Sequence, residues 1–215
     1  MVDHYFSAQP GSASSPREIR AVMRGRAVSF VVDRGVFSKR GVDYGTALLA
    51  EALHIPSGAR VLDLGCGYGP VGIAVALTVE DVRVWLVDVN LRATQLALQN
   101  ARAAGVAERV TVVHGDGVDC LDPQLDFDVA ALNPPIRAGK SEVWKLYRQA
   151  CGRLSGGGEL YVVIQKKQGA ESSAKYLRSL FADVSVVARG GGYRVIRCRM
   201  RFPLRDKKIL PEQLT

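Results

Sequence analysis

Arg60-Val61-Leu62-Asp63-Leu64-Gly65-Cys66-Gly67-Tyr68-Gly69-Pro70 decides the fold of this chain. Its first half is a short apolar run of the kind that forms a buried strand. Its second half turns on three glycines, which allow positive φ and close approach of the backbone to a ligand. Pro70 suits the first position of the helix that must follow. A strand, a glycine loop and a helix in this order open an α/β unit.

Outward from this unit the alternation continues. Further strands are predicted at Arg83–Val87, Val110–His114, Phe127–Leu132, Glu159–Gln165, Val184–Ala188 and Tyr193–Met200. Helices are predicted at Val71–Leu77, Arg92–Ala104, Glu142–Arg153 and Glu171–Phe181. Only a glycine run, Gly190-Gly191-Gly192, lies between the last two strands, so they form an antiparallel hairpin. The expected fold is a Rossmann-like α/β domain with a seven-stranded, mostly parallel sheet. Upstream, Ile19–Met23 and Ala27–Asp33 read as a small N-terminal β-hairpin turning at Gly25. Thr46 is expected to cap a helix ending near Leu53. This divides the chain into a flexible lead-in (1–16), a hairpin and loop (17–45) and the main domain (46–215).

The chain has 215 residues, 47% hydrophobic and 23% charged, which suits a globular core. Its net charge of +8 favours polyanionic partners, nucleic acid first. The four cysteines form no C-x-x-C pair and lie near no histidine at ligand spacing, so no metal is expected. They read as free thiols of a cytoplasmic protein. No secretory signal or membrane span is expected.

Three further motifs fall at predicted strand ends. Asp88 ends the second core strand, where an acid grips a ribose. Gly115-Asp116-Gly117 follows the third, and Asp116 could accept from an adenine amine. Asn133-Pro134-Pro135 follows the fourth. There the Asn133 side-chain oxygen and the Pro134 carbonyl could take the two hydrogens of an exocyclic amine and turn its lone pair outward. Each proline fixes φ and holds its predecessor extended. Together the four motifs describe a pocket for S-adenosylmethionine beside a grip for an amino nitrogen. The candidate cofactor residues are Asp63, Gly65, Cys66, Gly67, Tyr68, Gly69, Asp88, Val89, Asp116, Gly117 and Asn133. Gly67-x-Gly69-x-x-Gly72 also satisfies the dinucleotide fingerprint, which leaves an NAD(P)-dependent oxidoreductase as the alternative. Pro70, which removes one N–H from the loop, and the Asn-Pro-Pro bend favour the methyl donor.

The strings N-P-P-I-R-A-G-K (Asn133 to Lys140), D-L-G-C-G-Y-G-P (Asp63 to Pro70) and G-V-F-S-K-R-G-V-D-Y-G (Gly35 to Gly45) resemble the small-subunit ribosomal RNA guanine-N2 methyltransferases. The resemblance spans most of Gly35 to Arg199. It implies a class I methyltransferase core, with cofactor contacts at Asp63, Gly65, Gly67, Asp88 and Asp116. It also implies an amine held by Asn133 and Pro134, and ribosomal RNA or the small subunit as partner. Two-domain members carry an additional N-terminal half, for which this chain is expected to be too short. Ile136 stands where many amino-methyltransferases put an aromatic that stacks on the base.

Pro135, Ile136, Arg137 and Lys140 complete the expected substrate side, the two cations facing phosphates. Lys39 and Arg40 could fold over the cofactor. Arg197, Arg199 and Arg201 alternate on one strand face, either as an RNA-facing stripe or as a solvated face with acidic neighbours. Trp144 and Tyr147 are expected to pack, and His114 is given no role. Other amines (adenine N6, a protein glutamine amide) and a noncatalytic RNA-binding module stay open.

Overall fold

A computed structural model describes residues 13–36 and 41–200. Lys39, Arg40, Arg201 and most of the lead-in lie outside the described residues. The chain forms β1 (Arg17–Met23), β2 (Arg26–Val32), α1 (Tyr44–Ala52), β3 (Arg60–Leu64), α2 (Pro70–Thr78), β4 (Arg83–Asp88), α3 (Leu91–Ala103) and β5 (Val110–His114). It continues with β6 (Phe127–Leu132), α4 (Lys140–Cys151), β7 (Leu154–Gln165), α5 (Ala170–Leu180), β8 (Asp183–Gly190) and β9 (Tyr193–Arg199).

The main sheet has seven strands in the order β5-β4-β3-β6-β7-β9-β8. The first five are parallel, and β9 runs antiparallel between β7 and β8. This is the expected architecture. The order reverses between β3 and β6, and in open α/β sheets ligands bind at such a switch point, beyond the strand carboxyl ends.

Helices cover both faces. Val61, Val84 and Leu86 point toward α1, α2 and α3, while Leu62, Leu64 and Leu132 point toward α4 and α5. That two-sided burial explains why the central strands read as continuous apolar runs. The N-terminal hairpin shares the first of these cores through Met23, Val28, Phe30 and Val32. Its turn has positive φ at Arg24 (49°) and Gly25 (73°), which suits the twist of a two-residue hairpin. The Arg24 guanidinium reaches the end of α1, donating to the Ala50 and Leu53 carbonyls, where a cation meets the negative end of the helix dipole.

Two elements depart from the sequence reading. β7 begins at Leu154, five residues early, with an irregular register against Phe127 and Val129. Its Ser155-Gly156-Gly157-Gly158 segment carries no strand pattern, so only the pairing reveals it. Helix α1 is capped by Asp43, whose carboxylate accepts from the Gly45 and Thr46 N–H groups. Asp and Thr are both good caps, and Thr46 is released for another partner.

Candidate active site

The cavity at the switch point has a volume of about 350 Å³. Its floor is the loop after β3. Gly65 and Cys66 both donate N–H groups to the Val87 carbonyl, at 2.8 and 3.0 Å. Gly67 donates to Asp88 Oδ2 at 2.8 Å, and Gly69 to the Cys66 carbonyl at 3.0 Å. Gly72 donates to Asp63 Oδ2 at 3.0 Å. Gly69 adopts the left-handed conformation (φ 87°) as the N-cap of α2, and Pro70 follows without an N–H. The N–H groups of Gly65, Cys66, Gly67, Gly69 and Gly72 are therefore engaged within the protein, which leaves few donors to cradle a pyrophosphate.

Two carboxyls border the cavity, Asp63 buried and Asp88 half-buried. Asp88 also accepts from the Asn90 N–H at 2.8 Å, so each of its oxygens has one bond and a lone pair left for a hydroxyl. Burial raises its pKa, while the Asn90 and Gly67 N–H groups oppose the rise. Asp63 is 3% exposed. Burial pushes its pKa from 3.8 to about 7, against the Gly72 N–H and with help from the Asp88 charge. An acid so placed beside a cavity fits a cationic ligand group, whose charge would restore its ionised form.

At the opposite wall, β6 ends in the Asn-Pro-Pro bend. Asn133 Nδ2 donates to Thr46 Oγ1 at 3.0 Å. The Thr46 hydroxyl in turn donates to the Asp43 carboxylate. The side-chain oxygen of Asn133 has no partner among the described residues. The Pro134 carbonyl accepts the Ile136 N–H at 2.9 Å, and the Pro135 carbonyl the Ala138 N–H at 2.9 Å. The bend thus offers an unused amide oxygen and, on Pro134, one remaining lone pair.

The chain matches the family described as "Methyltransferase small domain" over residues 27–197. The chain belongs to this family. This methyltransferase is similar to the uncharacterized protein YbxB of Bacillus subtilis (strain 168), with 38% identity over 93% of the chain and 99% of the relative. It is 35% identical to the ribosomal RNA large subunit methyltransferase G of Pseudomonas putida (strain W619), over 90% of the chain and 52% of that protein. Among solved structures it resembles the T. thermophilus 16S rRNA N2 G1207 methyltransferase (RsmC), in complex with AdoMet and guanosine. The TM-score is 0.79 at 25% identity, covering 89% of the chain and 52% of that one. The chain spans about half the length of both ribosomal RNA methyltransferases.

Within the methyltransferase, Asp63, Gly65, Cys66, Gly67, Tyr68, Asp88, Val89, Asp116, Gly117, Asn133, Pro134 and Pro135 line one cavity. Gly69, Ile136, Arg137 and Lys140 are outside that lining; Arg137 and Lys140 are exposed beside it. Tyr68 borders the cavity, but its ring is buried against Phe30 at 5.6 Å between centroids, so it serves the core. Lys145 of α4 pairs with Asp116 Oδ2 at 2.6 Å, which leaves the other carboxylate oxygen as an acceptor. Arg197 and Arg199 do not form a free stripe. Glu159 holds Arg199 at 2.6 Å and Asp183 holds Arg197 at 3.5 Å, and β9 sets the two arginines level with Glu159 and Tyr161 of β7, toward the amino-terminal ends of the parallel strands. Trp144 stacks on Tyr176 and Tyr147 is buried, as expected of packing residues. His114 bonds the Val89 carbonyl at 2.9 Å. Sequence reasoning missed Thr46 and Asp43 as partners of the bend, and Glu142 and Leu146 as cavity residues. The G-V-D-Y-G-T string was the available signal, because it packs an acid and a hydroxyl into four residues.

Proposed function

We propose that this methyltransferase is a cytoplasmic enzyme that uses S-adenosylmethionine to methylate ribosomal RNA, with the exocyclic N2 amine of a guanine as target. The observation that carries the reading is the unpartnered Asn133 oxygen on the same cavity as Asp63 and Asp88. The small subunit is the first substrate to test, given the likeness to RsmC. The large subunit is the second, because the Pseudomonas relatives bear that name.

S-adenosylmethionine, when bound, supplies a methyl group on a cationic sulfur that leaves as a neutral thioether. Asp88 is placed to accept from ribose hydroxyls, and Asp63 to face the ammonium of the amino-acid end. Asn133 and the second lone pair of the Pro134 carbonyl accept the two hydrogens of the incoming amine. That grip draws the nitrogen toward a tetrahedral shape and directs its lone pair at the methyl carbon. Both contacts strengthen as positive charge grows on nitrogen. Alignment supplies most of the acceleration, up to roughly 7–11 kcal/mol for well-oriented reactants. The proton then leaves to water. The engaged loop donors disfavour the dinucleotide alternative.

The test is transfer from labelled S-adenosylmethionine to small and large ribosomal subunits lacking base methylation, read by nucleoside mass spectrometry. N2-methylguanosine in one of them supports the reading. Label on adenine N6 would move the target to another amine. No labelled nucleoside on either subunit or on naked RNA would refute the RNA assignment.

A further inference from the structure

The tips of β7, β9 and β8 form a wall beside the reactive bend. Leu132 pairs with Val162, and β7 runs three residues further to Gln165, opposite Tyr193. Tyr193 also pairs with Gly190. At about 3.3 Å per residue, the β8–β9 hairpin tip stands roughly 10 Å beyond the end of β6.

An aromatic pair joins this tip to the bend. The Tyr193 ring fills the space beside Gly45, where an added Cβ would lie 2.8 Å from it. Gly45 precedes Thr46, the partner of Asn133. Tyr44 lies over the hairpin glycines; a Cβ on Gly190 or Gly191 would come within 2.2 or 2.7 Å of it. The two tyrosine rings are 6.2 Å apart between centroids. Tyr44 nevertheless remains 55% exposed. Two consecutive glycines, Gly190 and Gly191, therefore give a large ring a seat on bare backbone while leaving much of it open to solvent.

Asp43, the acid beside Tyr44, is taken up by the Gly45 and Thr46 N–H groups and the Thr46 hydroxyl, while the hairpin tip and the turn after β7 carry cations and no acid. Lys166, Lys167 and Arg189 are exposed and Arg194 is half-buried. No side chain of these four has an ion pair or hydrogen bond among the described residues. Arg197 and Arg199, further along β9 from the hairpin tip, are held by Asp183 and Glu159. The methyltransferase has thus neutralised its basic strand away from the bend and left it uncompensated next to the bend.

Uncompensated cations around an open ring fit an unpaired RNA strand, whose phosphates meet the cations and whose bases stack on the ring. We infer that the hairpin tip and Tyr44 dock the single strand flanking the target nucleotide. A neighbouring base stacks on Tyr44, and Lys166 and Lys167, in the turn beside it, meet its phosphates, while Arg189 and Arg194 alternate onto the other face of the hairpin and add to the local positive charge. Tyr44 then supplies the stacking that Ile136 cannot. This inference rests on the RNA reading above.

The test compares the parent chain with Tyr44→Ala, Tyr44→Phe, the pair Lys166→Glu/Lys167→Glu, and the control pair Arg20→Glu/Arg83→Glu. The control makes the same change in net charge at exposed positions elsewhere. Three quantities are measured: S-adenosylmethionine affinity by calorimetry, affinity for a fluorescein-labelled unpaired RNA oligonucleotide, and methylation of ribosomal RNA. Tyr44→Ala and the lysine pair should each weaken RNA binding about 10-fold or more with cofactor affinity kept. Tyr44→Phe and the control pair should stay near the parent. A parent that binds and methylates RNA while the tip variants match it overturns the docking surface alone. A parent that neither binds the probe nor methylates ribosomal RNA overturns the RNA reading as well.

Discussion

Asn133 gives its side-chain N–H to Thr46 Oγ1 across 3.0 Å and 87 residues of sequence. The Thr46 hydroxyl in turn donates a hydrogen bond to the carboxylate of Asp43, the N-cap of α1. The relay fixes which end of the Asn133 amide faces the cavity. A first-turn residue of a helix thereby sets the orientation of a group on a distant strand.

Thr46→Val removes the acceptor and keeps the shape. Turnover should fall about 10-fold, the scale of one lost hydrogen bond, with cofactor affinity unchanged. The loss should fall on kcat more than on KM, because the grip tightens in the transition state. Thr46→Ser should restore most of it. A Thr46→Val protein with parental kcat would remove the relay from the account.

With Asp63 as the proposed partner of the cofactor's ammonium, cofactor binding should depend on pH. Its folded pKa of about 7 lies above the ordinary 3.8, so the folded protein holds this proton more tightly than the unfolded chain. Its contribution to stability therefore declines as pH rises from about 4 to about 7. A cationic ligand reverses the preference and expels the proton. Affinity for S-adenosylmethionine should rise from about pH 5 to about pH 8, with proton release visible by calorimetry in buffers of different ionisation enthalpy. Asp63→Asn should abolish that proton release. Its persistence in Asp63→Asn would assign it to another group.

Gly72→Ala tests packing. An added Cβ would stand 2.2 Å from Leu86 Cδ2 and 2.9 Å from Val84 Cγ1. Overpacking of this kind costs typically 1–3 kcal/mol, so the melting temperature should drop. An unchanged melting temperature would show that Leu86 yields freely.

That same glycine explains why the sequence admitted two cofactors. In the dinucleotide fingerprint the third glycine serves close helix–strand packing, and Gly72 does that work whatever is bound. What separates the two readings is the fate of the loop N–H groups. Their acceptors, Val87 and Asp88, lie on another strand, and no local pattern announces such bonds. The strand ends were legible because buried parallel strands are apolar and their tips are not. The pocket was legible because each polar tip follows such a run. The Lys145–Asp116 and Arg199–Glu159 pairs were not, since each joins elements distant in sequence. The early start of β7 was hidden for the same reason, its glycines being ordered by a neighbour's backbone.

The most direct measurement is made on Asn133→Ala, with S-adenosylmethionine binding followed by calorimetry and methylation of ribosomal RNA by nucleoside mass spectrometry. The account predicts cofactor affinity close to that of the parent and methyl transfer lowered about 100-fold or more. Full methylation by Asn133→Ala would contradict the claim that this side chain holds the amine.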